Sequence, residues 1–573
     1  MAQKYTLYCV NNDQLIEVKP GDTLLHVARK YCPEVTDPKT GQVYPVIAAL
    51  VNNKLKELSY SIFYPNQVRF IGYNHPDGRR SYIRSLSFVL QVAVRRLFPD
   101  KVLVIDHALP SGIYCEIIER DPADDGRPRT HFLTDGEVDE LRSEMQKLID
   151  ADLPFEKEKI DIQEAERIFL QNNQPHKAEL EKSLGRFFCS IYSLDGGQDS
   201  FHGPLVPSTG YLKTFDLLPF NRGVCLQYPS DDDYGKVIKF RRQEKLSTTL
   251  SAYSVWTHIT GIHGVGTLNK AIRAGRAVPL INLSEARHER EYAAIADMIY
   301  ARRGEVRFVF IAGPSSSGKT SSSLRLAQQC RVLGLNPKVI ELDNYFVDRE
   351  RTPRDEDGEY DFEALGAMNI KLLNDNLNDL LAGREVIIPK FDFKSGRTIM
   401  DPERAMTLHE NDILFMEGIH ALNPALTEAV DQGRIFRIYI SALSALPGGE
   451  KVHNSTTDKR LLRRIVRDNR VRGTSPEENI LRWPSVRRGE THNIFPFEEN
   501  ADVVFNSSTL YDVPLLKYYA EPLLYGITEA SPAYAKAQSL LEFLQKVQAL
   551  KPSEIAAVPP TSIMREFIGG QTL

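Results

Sequence analysis

A chain of 573 residues is too long for one compact domain, because domains usually hold about 100–200 residues, so three or four are expected. Hydrophobic residues at 42% and charged residues at 26% exclude wholesale disorder. With 71 Lys plus Arg against 76 Asp plus Glu and a formal net charge of -5, no overall positive field can hold nucleic acid or an anionic membrane, and any such binding must be local.

The opening MAQKYTLYCVNNDQ has neither a basic n-region nor an apolar h-region, and no apolar run approaches the roughly 20 residues a bilayer needs. A cytoplasmic chain without membrane contact is expected. Cys9, Cys32, Cys115, Cys189, Cys225 and Cys330 are scattered, with no CxxC pair and no His at zinc-finger spacing. They read as reduced thiols, mostly in cores.

In chain order, the first 70 or so residues alternate short β-type runs with one helical run: Tyr5 to Val10, Thr23 to Tyr31 after Gly21-Asp22, Val46 to Val51, and Val68 to Ile71. That is a small mixed α+β unit. The strings PGDTLLHVARKY and AALVNNKLKEL in this order resemble the TGS domain, a ubiquitin-like β-grasp module of threonyl-tRNA synthetases and some GTPases. Residues 1–72 are assigned to it.

Residues 75–230 carry a helix at Ser81 to Leu97, strands near Val102 to Ile105 and Ile113 to Ile118, and a helix-rich middle from Asp135 to Phe188. AVRRLFPD, SGIYCEI and FHGPLVPSTG resemble the second additional domain of threonyl-tRNA synthetases, which hydrolyses mischarged tRNA. By that resemblance an HxxxH pair and a later Cys and His would do the chemistry. The four matching positions here are Phe88, Val92, Phe201 and Leu205. An apolar pair at i and i+4 makes a packed helix face, so a scaffold without hydrolytic activity is expected. His202, beside the lost Cys position, reads as a lone structural histidine.

Residues 231–284, opened by the acidic Asp231-Asp232-Asp233, read as a connector, and 285–530 as an α/β nucleotide-binding domain. VRFVFIA (306–312) is a continuous buried-type strand followed at once by Gly313-Pro314-Ser315-Ser316-Ser317-Gly318-Lys319-Thr320, a G-x4-G-K-T string ahead of a helical run. Strand, loop and helix arrive in P-loop order. Loop amides and the helix dipole would surround the phosphates of ATP, Lys319 would neutralise β/γ charge, and Thr320 would offer its hydroxyl to Mg2+.

Val339 to Leu342 reads as the next strand and ends at Asp343, a carboxylate placed to take a hydroxyl proton during phosphoryl transfer. Ile413 to Met416 is a buried strand closed by Glu417, which can position Mg2+. In Asp458 to Arg472, Arg460, Arg463, Arg464, Arg467 and Arg470 form one helical face and Leu461, Leu462, Ile465 and Val466 another. Such a helix suits a lid closing on phosphates.

GPSSSGKT, ELDNYF, EYDFE, IIPKFDF, MEGI, DKRLLRRIVRD, VRG and ENADVVF, in this order, resemble the uridine kinase family with its relatives phosphoribulokinase and pantothenate kinase. With its front modules, the chain is similar to bacterial nucleoside kinases that carry a threonyl-tRNA-synthetase-like amino-terminal half. The resemblance implies Asp343 as base, Asp361 on the sugar hydroxyls, Glu417 on Mg2+, and Arg464, Arg467 and Arg472 on phosphates and acceptor, with Phe391 and Phe393 lining the acceptor pocket. The chain departs from the family where Phe391 replaces a Tyr, Gly396 a base-reading His, and Thr474 a second lid Arg, while Tyr345-Phe346 stands for FY. Phosphoryl-transfer parts are kept and pyrimidine-reading parts are not.

The expected fold is multidomain α/β: a β-grasp unit, an α+β editing-like domain, then a parallel P-loop sheet with helices on both faces. The expected activity is ATP- and Mg2+-dependent phosphorylation of a small hydroxylated acceptor, foremost a nucleoside at its 5'-hydroxyl. Another sugar or alcohol remains open, as does an RNA- or tRNA-associated P-loop ATPase regulator, with RNA binding by the front domains, and a homo-oligomer. All assigned chemistry lies beyond residue 300, so the amino-terminal half is expected to be dispensable for it. Residues 531–573 form a terminal helix and tail, whose Gly569-Gly570 end reads as frayed.

Overall fold

The computed structural model describes residues 5–119, 129–201, 203–231, 233–354, 358, 360–443 and 455–573. His202 lies outside them. The first unit is a five-stranded sheet in the order Gln14–Val18, Tyr5–Cys9, Gln67–Ile71, Ala48–Val51, Lys54–Glu57, with only the Tyr5–Cys9 and Gln67–Ile71 pair parallel. Its helix Leu24–Tyr31 starts where Thr23 accepts a hydrogen bond from the His26 amide, and buries Leu24, Val27 and Ala28 on the sheet. The Gln14–Val18 and Lys54–Glu57 strands are additions to the sequence reading. Both are polar edge strands with weak apolar alternation.

The second unit centres on the 22-residue helix Pro76–Leu97, which lies against an antiparallel sheet of Lys101–Leu109, Gly112–Glu119, Gly223–Gln227 and Asp216–Phe220. The helix-rich middle also holds a strand, Glu156–Asp161, paired antiparallel with Phe188–Leu194. Its EKEKID sequence has too little apolar patterning to announce a strand. Phe88, Val92, Phe201 and Leu205 are all buried in one core cluster. The Phe88 and Phe201 rings lie 5.1 Å apart, and a Cβ added to Gly197 would stand 2.7 Å from Val92. Apolar packing fills the place where four polar groups would have to meet.

The third unit is a five-stranded, all-parallel sheet in the order Asn336–Glu341, Asp412–Glu417, Phe308–Ala312, Ile435–Ser441, Val503–Asn506. The P-loop strand is central, buried at every residue, as expected for a strand covered by helices on both faces. Residues 231–284 include two helices, Glu244–Ile259 and Val265–Arg273. Leu246, Leu250 and Tyr253 of the first share a core cluster with Phe308 and Phe310 of the parallel sheet and with Tyr114 and Phe220 of the second unit. Removing the amino-terminal half would therefore expose apolar surface of the parallel sheet's core.

The tail is also not frayed. Ile563, Met564 and Phe567 are fully buried, and the short helix Met564–Ile568 joins the same core cluster as the helix Ser455–Val471. Among the described residues no helix is long and apolar enough to cross a membrane. All six cysteines are buried and unbridged.

Candidate active site

The site forms at the carboxyl ends of the parallel strands, where the P-loop turns from Phe308–Ala312 into the helix Lys319–Val332. Gly318 has φ +87° and a Cβ there would come within 2.6 Å of Ile563 Cγ2, so the turn needs glycine on both counts. Lys319 Nζ donates to the Gly313 and Pro314 carbonyls at 2.9 and 3.4 Å, curling back over the loop. Ser316 Oγ and Ser317 Oγ are buried without hydrogen-bond partners among the described residues. A loop with lysine and unsatisfied hydroxyls fits a polyanionic ligand.

Thr320 Oγ1 donates to Glu417 Oε1 at 2.8 Å. The hydroxyl at the start of the helix and the carboxylate ending the adjacent strand therefore meet, the pairing that would hold Mg2+. Burial pushes the Glu417 carboxyl up to about 7, opposed by Lys319 and the Thr320 hydrogen bond. Asp343 follows the edge strand in a short 3-10 turn, Leu342–Tyr345. Desolvation raises its pKa, Lys319 and Arg472 oppose the rise, and Glu341 adds to it. Lys319, Asp343 and Glu417 thus share one electrostatic neighbourhood.

Asp361 accepts from the Glu363 amide at 3.0 Å, as a turn-capping aspartate does. Glu363 was not singled out in the sequence, yet it senses Lys319, Arg464 and Asp343 directly. Burial first, then the neighbouring Glu490, push it up to about 7. Its only sequence signal is its place two residues after Asp361.

Phe391 is buried with Phe346 at 5.5 Å between ring centroids, while Phe393 is 56% exposed and stands edge-on to Phe391 at 5.0 Å. At Gly396, φ +70°, an added Cβ would meet Arg349 atoms at 2.8 Å, so the Arg349 side chain fills that space.

The helix Ser455–Val471 buries Leu461, Leu462, Ile465 and Val466 as its pattern predicts. Its arginines do not form one cationic face. Arg460 and Arg463 are only 1% and 0% exposed. Arg460 Nε donates to the Ser315 carbonyl at 2.9 Å and its Nη2 pairs with Glu490, whose Oε1 also accepts from the Ser315 amide at 3.0 Å. Arg463 donates to Asp512 Oδ2 at 2.6 Å and to the Ser507 carbonyl at 3.0 Å. The rings of Trp483 and Phe567 cover these two guanidinium groups at 5.4 and 5.1 Å. Arg464, Arg467 and Arg472 instead gather on buried Asp468 at 3.4, 2.8 and 3.7 Å, and Arg464 Nη1 reaches Ser315 Oγ at 3.1 Å. The P-loop is therefore held at Ser315 by Arg460, Glu490 and Arg464, with Arg463 reaching the Ser316 carbonyl at 3.4 Å.

Residues 308–514 match the model of the Phosphoribulokinase / Uridine kinase family. The threonine–tRNA ligase of Carboxydothermus hydrogenoformans is 29% identical over 208 residues, 36% of this chain and 30% of that protein. The enzyme of the same name from Desulforamulus reducens is 30% identical over 203 residues, 35% of this chain and 29% of that protein. The chain thus covers about 30% of the length of these curated relatives. Among solved structures, a Bacillus stearothermophilus chain described as a "Possible Uridine Kinase" is 20% identical, with a TM-score of 0.26 over 38% of this chain and 98% of that one. The carboxyl-terminal region carries a parallel P-loop sheet and matches a kinase family model, and the amino-terminal region resembles threonyl-tRNA synthetase domains.

Proposed function

We propose that the protein transfers the γ-phosphoryl group of ATP, with Mg2+, to the hydroxyl of a small acceptor, foremost the 5'-hydroxyl of a nucleoside. The observation that carries this reading is the convergence of Thr320 and Glu417 at 2.8 Å with Asp343 at the next strand end, around one P-loop lysine. An ATPase switch needs the first pair and the lysine, but not a second carboxylate placed for an acceptor proton.

In this reading the loop Gly313–Thr320 cradles the phosphates, and Lys319 offsets β/γ charge. Thr320 and Glu417 hold Mg2+, and Asp343 takes the acceptor proton as the bond to phosphorus forms. Arg464, Arg467 and Arg472 offset charge on the transferring group. Asp361 holds the turn that presents Glu363, and these two carboxyl groups orient the acceptor's remaining hydroxyls beside Phe391 and Phe393. Arg349 beside Gly396, in place of a base-reading histidine, supports an acceptor other than the common pyrimidine nucleosides.

Incubating the full chain with MgATP and a panel of nucleosides, sugars and sugar alcohols, read by product mass, tests the reading. One acceptor gaining a phosphoryl group in step with ADP release supports it. The threonine–tRNA ligase likeness motivates a second reading, an RNA-associated ATPase. ADP release stimulated by tRNA, with no phosphorylated small molecule, would favour that instead.

A further inference from the structure

The carboxyl-terminal segment, which no catalytic assignment uses, reaches the P-loop helix. Ser562 Oγ donates to Glu285 Oε1 at 2.8 Å and lies 2.9 Å from Tyr511 Oη, fixing the segment's start. Ile563 then packs on Gly318, and Met564 and Phe567 are buried. The next turn carries Glu566 to the first turn of the helix Lys319–Val332. Glu566 Oε2 accepts from Ser321 Oγ at 2.5 Å and from the Ser321 amide at 3.4 Å. Gln571 Nε2 donates to the same Ser321 hydroxyl at 2.7 Å. The lid side joins in: Arg470 donates to the Glu566 and Phe567 carbonyls at 3.1 and 3.3 Å, and Arg467 lies 4.0 Å from the Glu566 carboxylate.

Ser321 directly follows Thr320, and the amides opening a P-loop helix are donors for nucleotide phosphate oxygens. A carboxylate on those donors occupies the place of a phosphate oxygen and draws on Arg467, one of the arginines proposed to offset phosphate charge. Two anions cannot share them in a buried site without strong repulsion. Beyond the short helix, Gly569 and Gly570, at φ +94° and +77°, turn the chain so that Gln571 reaches the same Ser321 hydroxyl.

We propose that residues 562–571 are a tethered competitor of the nucleotide, with Glu566 standing in for a phosphate oxygen on Ser321 until ATP takes those donors. This rests on reading the P-loop as an ATP site. Being part of the chain, the segment competes at a fixed and high local concentration.

The test compares the full-length wild type with Glu566→Gln, titrating MgATP by calorimetry, and follows amide hydrogen exchange of residues 562–573 with and without MgATP. A neutral amide at this point should tighten ATP binding about tenfold, the size of one charge-assisted hydrogen bond removed from the competing state. ATP should speed exchange in the wild-type segment. Unchanged or weaker ATP binding by Glu566→Gln, or protection of the segment by ATP, overturns the proposal and leaves the site reading standing. If neither protein binds MgATP, the site reading falls and takes the proposal with it.

Discussion

At the scale of single residues, Lys319 and Asp343 separate the two halves of the chemistry. Lys319→Ala should weaken both ATP binding and transfer. Asp343→Asn keeps the shape but cannot accept a proton, so ATP affinity by calorimetry should stay near wild type while single-turnover transfer falls at least about 100-fold. A near-normal rate would place the base elsewhere. Glu417 carries a pH signature. Its pKa rises from an ordinary 4.5 to about 7, so the folded protein holds this proton more tightly than the unfolded chain. The stability it contributes is complete below about 4.5 and is lost as pH rises through about 7. In EDTA, Glu417→Gln should therefore gain stability relative to wild type between those pH values, by up to about 3 kcal/mol in chemical denaturation. A pH-independent difference would contradict this environment for Glu417. Lys319, Thr320, Asp343 and Glu417 were legible because motif spacing and strand ends fix them. Glu363, Glu490 and Glu566 were not, since only packing of distant segments brings their carboxylates to the loop.

Among the elements, the helix Ser455–Val471 shows where charge patterning misleads. Five arginines on one helical face read as a cationic lid closing on phosphates, yet two of them are buried fasteners. The two kinds should respond differently to truncation. Arg463→Ala leaves Asp512 buried with Lys459 as its remaining cation at 3.4 Å, and should cost about 3 kcal/mol in urea denaturation. Arg464→Ala, nearer solvent, should change stability by less than about 1 kcal/mol but slow transfer about 100-fold. Equal stability losses in both would mean that the helix works as one structural unit. The P-loop strand and the helix after it were legible from continuous burial and helical spacing. The strand Glu156–Asp161 was hidden because its EKEKID side chains face solvent almost throughout.

At the scale of the whole molecule, domain order was legible while independence was not. Composition breaks mark where segments change, but a shared core leaves no mark in local sequence. Phe308 and Phe310 pack in one cluster with Leu246, Leu250 and Tyr253, and Asn269 ties the same region to the carboxyl-terminal part through the Lys546 carbonyl at 2.7 Å. Lys54 of the first unit likewise pairs with Glu529. Removing residues 1–281 should strip this apolar surface bare. The shortened protein should lose its cooperative thermal transition and bind a hydrophobic dye, whereas a cooperative, soluble product would show that the kinase unit closes its own core.

The plug formed by Phe88, Val92, Phe201 and Leu205 closes the pocket of the second unit to polar groups. Placing any one imidazole or thiol there would set a polar group among apolar neighbours without partners, at a cost of about 1–3 kcal/mol, and would by itself complete no catalytic set. With this pocket filled by apolar packing, any binding by the second unit has to use its outer surface.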